Sequence, residues 1–252
     1  MNHDLPSTVW VVMPALDEEA SIGLVLDALP PAEVLGTARE IVVCDNGSTD
    51  RTAQVASAGG AHVVREDRRG YGQACLTALA ELRRRGARPH DVVCFLDADF
   101  SDDPTELTDV VAPVLDGHAD LVIGSRVLGE REPGALLPQA RWGNWLATRL
   151  IARITGVRFT DLGPFRCIRW AQLESLAMED RAFGWTVEMQ LKAAAGGLRC
   201  VEVPVRYRRR VGRSKITGTV RGTVLASVTI LSILGRWAWR ARRGRISRSR
   251  RG

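Results

Sequence analysis

The chain has 252 residues, 45% of them hydrophobic and 25% charged, with a net charge of +6. That suits one large domain with its own core, alone or with an appendage. The cysteines Cys44, Cys75, Cys94, Cys167 and Cys200 have no metal-ligand or redox spacing and read as small buried hydrophobes of a reducing compartment; no apolar stretch follows a basic start, so no secretory signal is expected.

The first half alternates between strand and helix patterns. Residues 9–13 (VWVVM) read as a buried strand, 18–29 as a helix, 40–45 (EIVVCD) as a strand and 48–60 as a helix closed by glycine. A strand at 61–66, a helix at 71–86, a strand at 91–99, a helix at 104–115 disturbed by Pro113, and a strand at 120–126 follow. Uniformly apolar strands alternating with helices predict an α/β fold, a mostly parallel sheet covered on both faces. In such sheets ligands bind at the carboxyl ends of the strands, where Pro14, Asp45, Asp97, Asp99 and Arg126 fall. Beyond this, residues 127–139 read as a loop, 139–155 as a helix, 160–170 as a loop entering a short strand, 185–197 as a helix with a glycine stop and 198–210 as a strand.

The strand at 91–99 ends in FLDADFSDDP, residues 95–104. Asp103-Pro104-Thr105-Glu106 has the form of a capping box with proline at the first helical position, so Asp103 reads as a helix cap. Asp102 reads as solvated turn within reach of its neighbours. Asp97 and Asp99, two apart on an extended chain, would point to one side with α-carbons about 6.6 Å apart. Two such carboxylates repel unless a cation joins them, and a hard divalent ion, alone or carried by a diphosphate, would do so. Glu18 after the first strand, Asp45 before an Asn-Gly turn, Gly70 and Gly72 before a helix, and Arg126 complete one rim. The two glycines are expected to leave backbone amides open to a ligand, and Asp45 alone could serve the turn.

PALDEE, VVCDNGSTDRT, RRGYGQA, LDADFSDDP and IGSR, in this order and spacing, resemble glycosyltransferase family 2 with a GT-A fold. DLGPFRCIR and GRSK are similar to its polyprenyl-phosphate sugar synthase branch, which includes dolichyl-phosphate mannose and glucose synthases. The resemblance covers about residues 8–218. It implies that Pro14, Ala15, Glu18, Asp45, Gly72, Asp97, Ala98, Arg213, Ser214 and Lys215 bind a nucleotide-diphosphate sugar, with Asp97 and Asp99 on Mg2+ or Mn2+. It also implies inverting chemistry. The chain departs from the family at Asp17, where Asn is common, and at Ser101, where the branch often has Gln; Asp102 or water is left to complete the metal shell.

A lipid-phosphate acceptor is already an anion and needs cations to position it. Arg126, Arg141 and the loop of Arg213, Ser214 and Lys215 could supply them. A hydroxyl acceptor needs a carboxylate base, for which Asp161 and Glu188 are the candidates. Asp161 could instead shape a turn, and Glu188 could pair with Lys192 one helical turn on.

Residues 236–252 hold eight arginines and no acid; subtracting these from +6 leaves −2 for residues 1–235. The uncharged run 222–235 is shorter than the roughly 20 residues that span a bilayer. With Trp237, Trp239 and the arginines beside it, the stretch reads as a helix at an anionic membrane surface; the alternatives are packing on the domain or on a second copy, a possible homo-oligomer. No nucleic-acid motif is present. The expected organisation is a GT-A domain at 1–218, an amphipathic interface helix at 219–240 and a basic tail at 241–252. The expected activity is an inverting, metal-dependent transfer of a sugar to polyprenyl phosphate at the cytoplasmic membrane face. The alternatives are a small hydroxyl acceptor and a weakly catalytic nucleotide-binding module that recruits partners to membranes. The residues name neither sugar nor nucleotide.

Overall fold

The computed structural model describes residues 7–212, 230, 232–235 and 237. Its centre is a seven-stranded sheet of order β3-β2-β1-β4-β6-β5-β7. In chain order the strands are β1 (Thr8–Ala15), β2 (Ala38–Asp45), β3 (His62–Arg65), β4 (Val92–Phe95), β5 (Leu121–Ser125), β6 (Arg166–Arg169) and β7 (Cys200–Pro204). The helices are α1 (Ile22–Ala28), α2 (Ala32–Leu35), α3 (Thr52–Ala58), α4 (Tyr71–Arg84), α5 (Leu107–Leu115), α6 (Pro138–Thr155), α7 (Trp170–Leu176) and α8 (Trp185–Ala195).

Side chains alternate across the pleat, so each strand feeds two cores. Val9, Val11 and Met13 of β1 pack with α1 and α5 on one face. Trp10 and Val12 pack with α4, α6, α7 and α8 on the other. With both faces covered, the strands carry no polar side, which is why they read as unbroken apolar runs. All pairings are parallel except those of β6, which runs antiparallel between β4 and β5. Its reversal brings the loop that precedes it, around Asp161, to the rim where β1, β4 and β5 end.

Two predicted helices start later than their apolar periodicity suggests. The helix expected from residue 18 begins at Ile22, because Glu18 to Ser21 form a turn in which the Glu18 carbonyl accepts from the Ser21 and Ile22 amides. The one expected from residue 48 begins at Thr52, because the Ser48 amide donates to Asp45 Oδ1 (2.9 Å) and the Thr52 amide to Asp50 Oδ1 (2.9 Å). Asp and Ser prefer such side-chain turns to helix interiors. β4 stops at Phe95, so Asp97 and Asp99 stand in a turn and not on an extended strand.

Of the C-terminal stretch, Ile230, residues 232–235 and Trp237 are helical, and Ile233 and Leu234 are buried in the core beneath α4, α7 and α8. These residues pack on the domain, the alternative to a membrane interface; the rest of the stretch and the basic tail lie outside the described residues. Among the described residues no helix is long and apolar enough to cross a membrane.

Candidate active site

The turns after β1 and β2 are sewn together at the rim. Asp17, at φ 50°, donates its amide to Ser48 Oγ (2.9 Å) and accepts the Thr49 amide on its carboxylate (2.7 Å). An Asn oxygen would accept the same bond, so the departure from the family at this position leaves the turn intact. The reversal at Asp17 turns Glu18 inward, where its amide donates to Thr52 Oγ1 (2.8 Å) and its carboxylate accepts Ser21 Oγ (3.1 Å).

Glu18 then faces Asp97 and Asp99 across a cavity of about 220 Å3 floored by Pro14, Ala15 and Ala98. Asp97 accepts the Tyr71 hydroxyl (3.0 Å). Burial and the charge of Asp99 push its carboxyl up to about 7, against the pull of Tyr71 and Arg210. Asp99 accepts the Ser101 amide (2.9 Å). The guanidinium of Arg210, a residue the motifs did not single out, lies 2.8 Å from Glu18 and 3.3 Å from Asp99. Two neighbouring acids, one of them disfavoured from ionising by burial and by the other, offer oxygens that fit a hard divalent cation.

Asp102 is neither solvated nor part of that set. It is 1% exposed, and neither of its carboxylate oxygens has a hydrogen-bond partner. Burial drives its carboxyl well above the usual range despite the nearby Arg126. Among the described residues no three His, Cys, Asp or Glu side chains are grouped to hold a metal, so a cation at Asp97 and Asp99 would draw its further oxygens from a ligand or water. Asp103 caps the turn of Pro104–Glu106 as expected, accepting the Thr105 amide (3.1 Å). Glu106 does not close a capping box: its carboxylate takes the amide and guanidinium of Arg206 instead.

The end of β2 brings Asp45 and Asn46 to the rim. The Asp45 carboxylate, 1% exposed, accepts Ser48 and Arg65 (3.0 Å). Its neighbour Asn46 lines the cavity and ties the Gly70 loop by donating to the Glu66 and Arg68 carbonyls and accepting the Gly70 amide. Gly72 does not offer its amide to a ligand: it donates to the Ala182 carbonyl (3.0 Å). A Cβ there would overlap the Asp180 carbonyl oxygen. The glycine is required for close approach of the 180–182 backbone.

On the other half of the rim the charges saturate one another. Arg126 donates Nε and Nη2 to the two oxygens of Asp161 (2.8 Å each), and its amide adds a third bond (2.8 Å). Its guanidinium lies 5.0 Å from the Tyr207 ring centre. Asp161 is fully buried; burial opposes its ionisation, yet Arg126 holds its carboxyl below the usual range. It is a structural anion with no lone pair poised for a proton. Glu188 accepts the amides of Glu179 and Asp180 and pairs with Lys192 (2.8 Å), so it holds the loop whose backbone meets Gly72. Arg166 is wholly buried, and its guanidinium donates to the carbonyls of Leu162, Gly163 and Thr186.

Arg141 lies elsewhere. It is exposed on the first turns of α6 and lines an open groove of about 1250 Å3 together with Trp142, Trp145, Arg149, Arg153 and Arg158. Val127 and Thr160, each adjacent in the chain to a member of the Arg126–Asp161 pair, also line this groove. Arg213, Ser214 and Lys215 lie outside the described residues.

The family model for glycosyl transferase family 2 matches residues 10–172. An uncharacterised glycosyltransferase of Mycobacterium tuberculosis is 37% identical over 229 residues, 90% of this chain and 97% of the relative. The undecaprenyl-phosphate mannosyltransferase of Micrococcus luteus is 32% identical over 94% of this chain and 99% of its own length. The crystal structure of glucosyl-3-phosphoglycerate synthase from M. tuberculosis with Mn2+, UDP and phosphoglyceric acid superposes with a TM-score of 0.68 at 22% identity, covering 92% of this chain and 78% of that one; at this identity the likeness speaks for the fold. With the GT-A strand order, the acid-lined rim and a family match that spans most of the sheet, the chain belongs to glycosyltransferase family 2.

Proposed function

We propose that the protein transfers a hexose from a nucleotide-diphosphate sugar to the phosphate of a polyprenyl-phosphate carrier, with inversion, at the cytoplasmic face of a membrane. The observation that carries this reading is that neither candidate base is free. Asp161 is locked by Arg126 and Glu188 by two amides and Lys192. A hydroxyl acceptor must lose its proton as it attacks, whereas a phosphate acceptor is already an anion. The groove along α6 adds the complementary chemistry. Arginines suit phosphate oxygens, and Trp142 and Trp145, exposed at 63% and 52%, suit an amphipathic lipid surface.

In this reading Glu18, Asn46 and the floor of Pro14, Ala15 and Ala98 hold the nucleotide. Asp97 and Asp99 would hold Mg2+ or Mn2+, which would supply positive charge to the diphosphate of the donor. Arg141 and its neighbours on α6 steer the acceptor phosphate toward the anomeric carbon. An oxygen of that phosphate forms the new bond to this carbon as the bond to the nucleoside diphosphate breaks, and no proton changes hands. The name of the M. luteus relative supports the acceptor class.

The test is a panel of labelled UDP- and GDP-sugars with membrane extract and Mn2+. Label is expected in the lipid phase. Label confined to a water-soluble product would overturn the acceptor assignment in favour of a small hydroxyl acceptor, and no incorporation would favour a nucleotide-binding module.

A further inference from the structure

The guanidinium of Arg210 lines the donor cavity between two of its acids. Nη2 lies 2.8 Å from Glu18 Oε1 and Nη1 lies 3.3 Å from Asp99 Oδ2. It thus bridges an acid of the β1 turn and an acid of the β4 turn, and it lines the same cavity as Asp97. The bridge is mostly withdrawn from water: Glu18 and Asp99 are each 7% exposed, and Arg210 Nε is buried without a hydrogen-bond partner. The backbone beneath it is fixed without its help. The Arg208 amide donates to the Ser101 carbonyl (2.7 Å) and the Val211 amide to the Asp99 carbonyl (3.0 Å). Arg208 also anchors its own guanidinium on Asp103 (2.7 Å). The side chain of Arg210 can therefore leave the acids while the strap that carries it stays in place.

Consider what each ligand meets on entering alone. A divalent cation approaching Asp97 and Asp99 meets the positive charge already seated between Asp99 and Glu18. A nucleoside diphosphate approaching without a cation meets the carboxylates of Glu18, Asp97 and Asp99. When both arrive, the cation takes over the neutralisation of the acids, and the displaced guanidinium finds the diphosphate oxygens beside it. We propose that Arg210 is an internal counter-ion that makes this site a receptor for the cation–nucleotide complex as a unit, and disfavours either component alone. This rests on the reading of the cavity as the donor site. It assigns a role to a residue outside the motifs, and the role is a coupling between two ligands, which is reciprocal by linkage.

The experiment measures Mn2+ binding by the paramagnetic resonance of free Mn2+, with and without saturating UDP or GDP, in the wild-type protein, Arg210→Gln and Arg210→Lys. Circular dichroism and Tm report on folding. In the wild type, Mn2+ alone binds weakly and the nucleotide tightens it strongly. In Arg210→Gln, Mn2+ alone binds at least about tenfold tighter, and the tightening by nucleotide shrinks by at least about tenfold. Arg210→Lys, whose single ammonium cannot fork across both acids, falls between the two, and it carries the test should Arg210→Gln not fold. Equal Mn2+ affinity in wild type and variants, or an unchanged nucleotide effect, overturns the proposal while leaving the donor site standing. Absence of Mn2+ binding in every protein with either nucleotide overturns the donor-site reading and the proposal together.

Discussion

Glu18, Asp97 and Asp99 beside the parallel strands, and Asp161 and Glu188 in the second half of the chain, are all buried or deeply set carboxylates, but they are bonded differently. Asp161 faces a bidentate arginine and backbone amides; Glu188 faces amides and a lysine. Their partners come from the protein's own frame and leave nothing to add. Glu18 and Asp99 share one guanidinium, that of Arg210, beside the Ser21 hydroxyl on Glu18 and the Ser101 amide on Asp99, and Asp97 is pushed toward its neutral form by burial and by Asp99. Removing an acid from the first group should lower function without much effect on the fold, and removing one from the second should do the reverse. On the proposed reading, burial alone does not separate ligand-binding acids from structural ones; how fully the protein compensates their charge does.

The largest effects come from a matched pair of substitutions. Asp99→Asn is expected to cut transfer about 10³-fold with a nearly unchanged urea midpoint, because the acid acts on charge that develops at the donor. Asp161→Asn is expected to cost about 3–5 kcal/mol of stability, since it leaves Arg126 buried without its counter-charge. Initial rates and urea denaturation on both variants check this. A stable Asp161→Asn enzyme with a 10³-fold lower rate would restore Asp161 as the base and dissolve the contrast.

A smaller effect follows from pH. Burial and the charge of Asp99 push the Asp97 carboxyl from its ordinary 3.8 up to about 7. Between those values the folded protein keeps a proton that the unfolded chain has lost, so this group lowers stability as pH rises through the window. A cation needs the ionised form, so Mn2+ affinity should rise roughly tenfold from pH 6 to pH 8 and level off above. Asp97→Asn should flatten that rise in calorimetric titrations. The acid facing it is Asp99, with Tyr71, Arg210 and Arg126 the other groups acting on it; persistence of the full slope in the variant would assign the proton elsewhere.

The smallest effect is expected at Glu188. Glu188→Gln keeps the shape of the side chain and can still accept from the Asp180 amide, so it should lose about 1–2 kcal/mol of stability and no more than about tenfold in rate. A larger loss of rate at full stability would move Glu188 into the reacting group.

The parallel half was legible in the sequence because its signals are local. Apolar strands followed by Pro14, Asp45 and Asp97 locate the rim with no knowledge of the fold. What stayed hidden was long-range. Arg210 reaches Glu18 across 192 positions, and Arg126 meets Asp161 only because β6 reverses direction. No periodicity encodes either contact. Helix starts were misplaced for a third reason: the aspartates and serines that follow β1 and β2 satisfy backbone amides with their side chains, and a hydrophobic pattern does not register that. Gly72 was noticed for the right property, the missing side chain, but the approaching group is the backbone at 180–182 and not a ligand.

The reversal of β6 has a consequence for how such an enzyme diversifies. β5 and β6 are antiparallel neighbours, a pair that a tight hairpin would ordinarily join. Here the chain between Ser125 and Arg166 carries α6 and its groove before returning to the adjacent strand. The segment enters and leaves the sheet at one spot, so its exposed groove face can vary while the core face of α6, with Ala147 and Ile151, and the Asp161 that pairs with Arg126 are kept. On the proposed reading, acceptor preference would then be housed in the exposed face of this one stretch. Grafting this stretch between relatives is the natural route to redirecting the sugar to a new recipient.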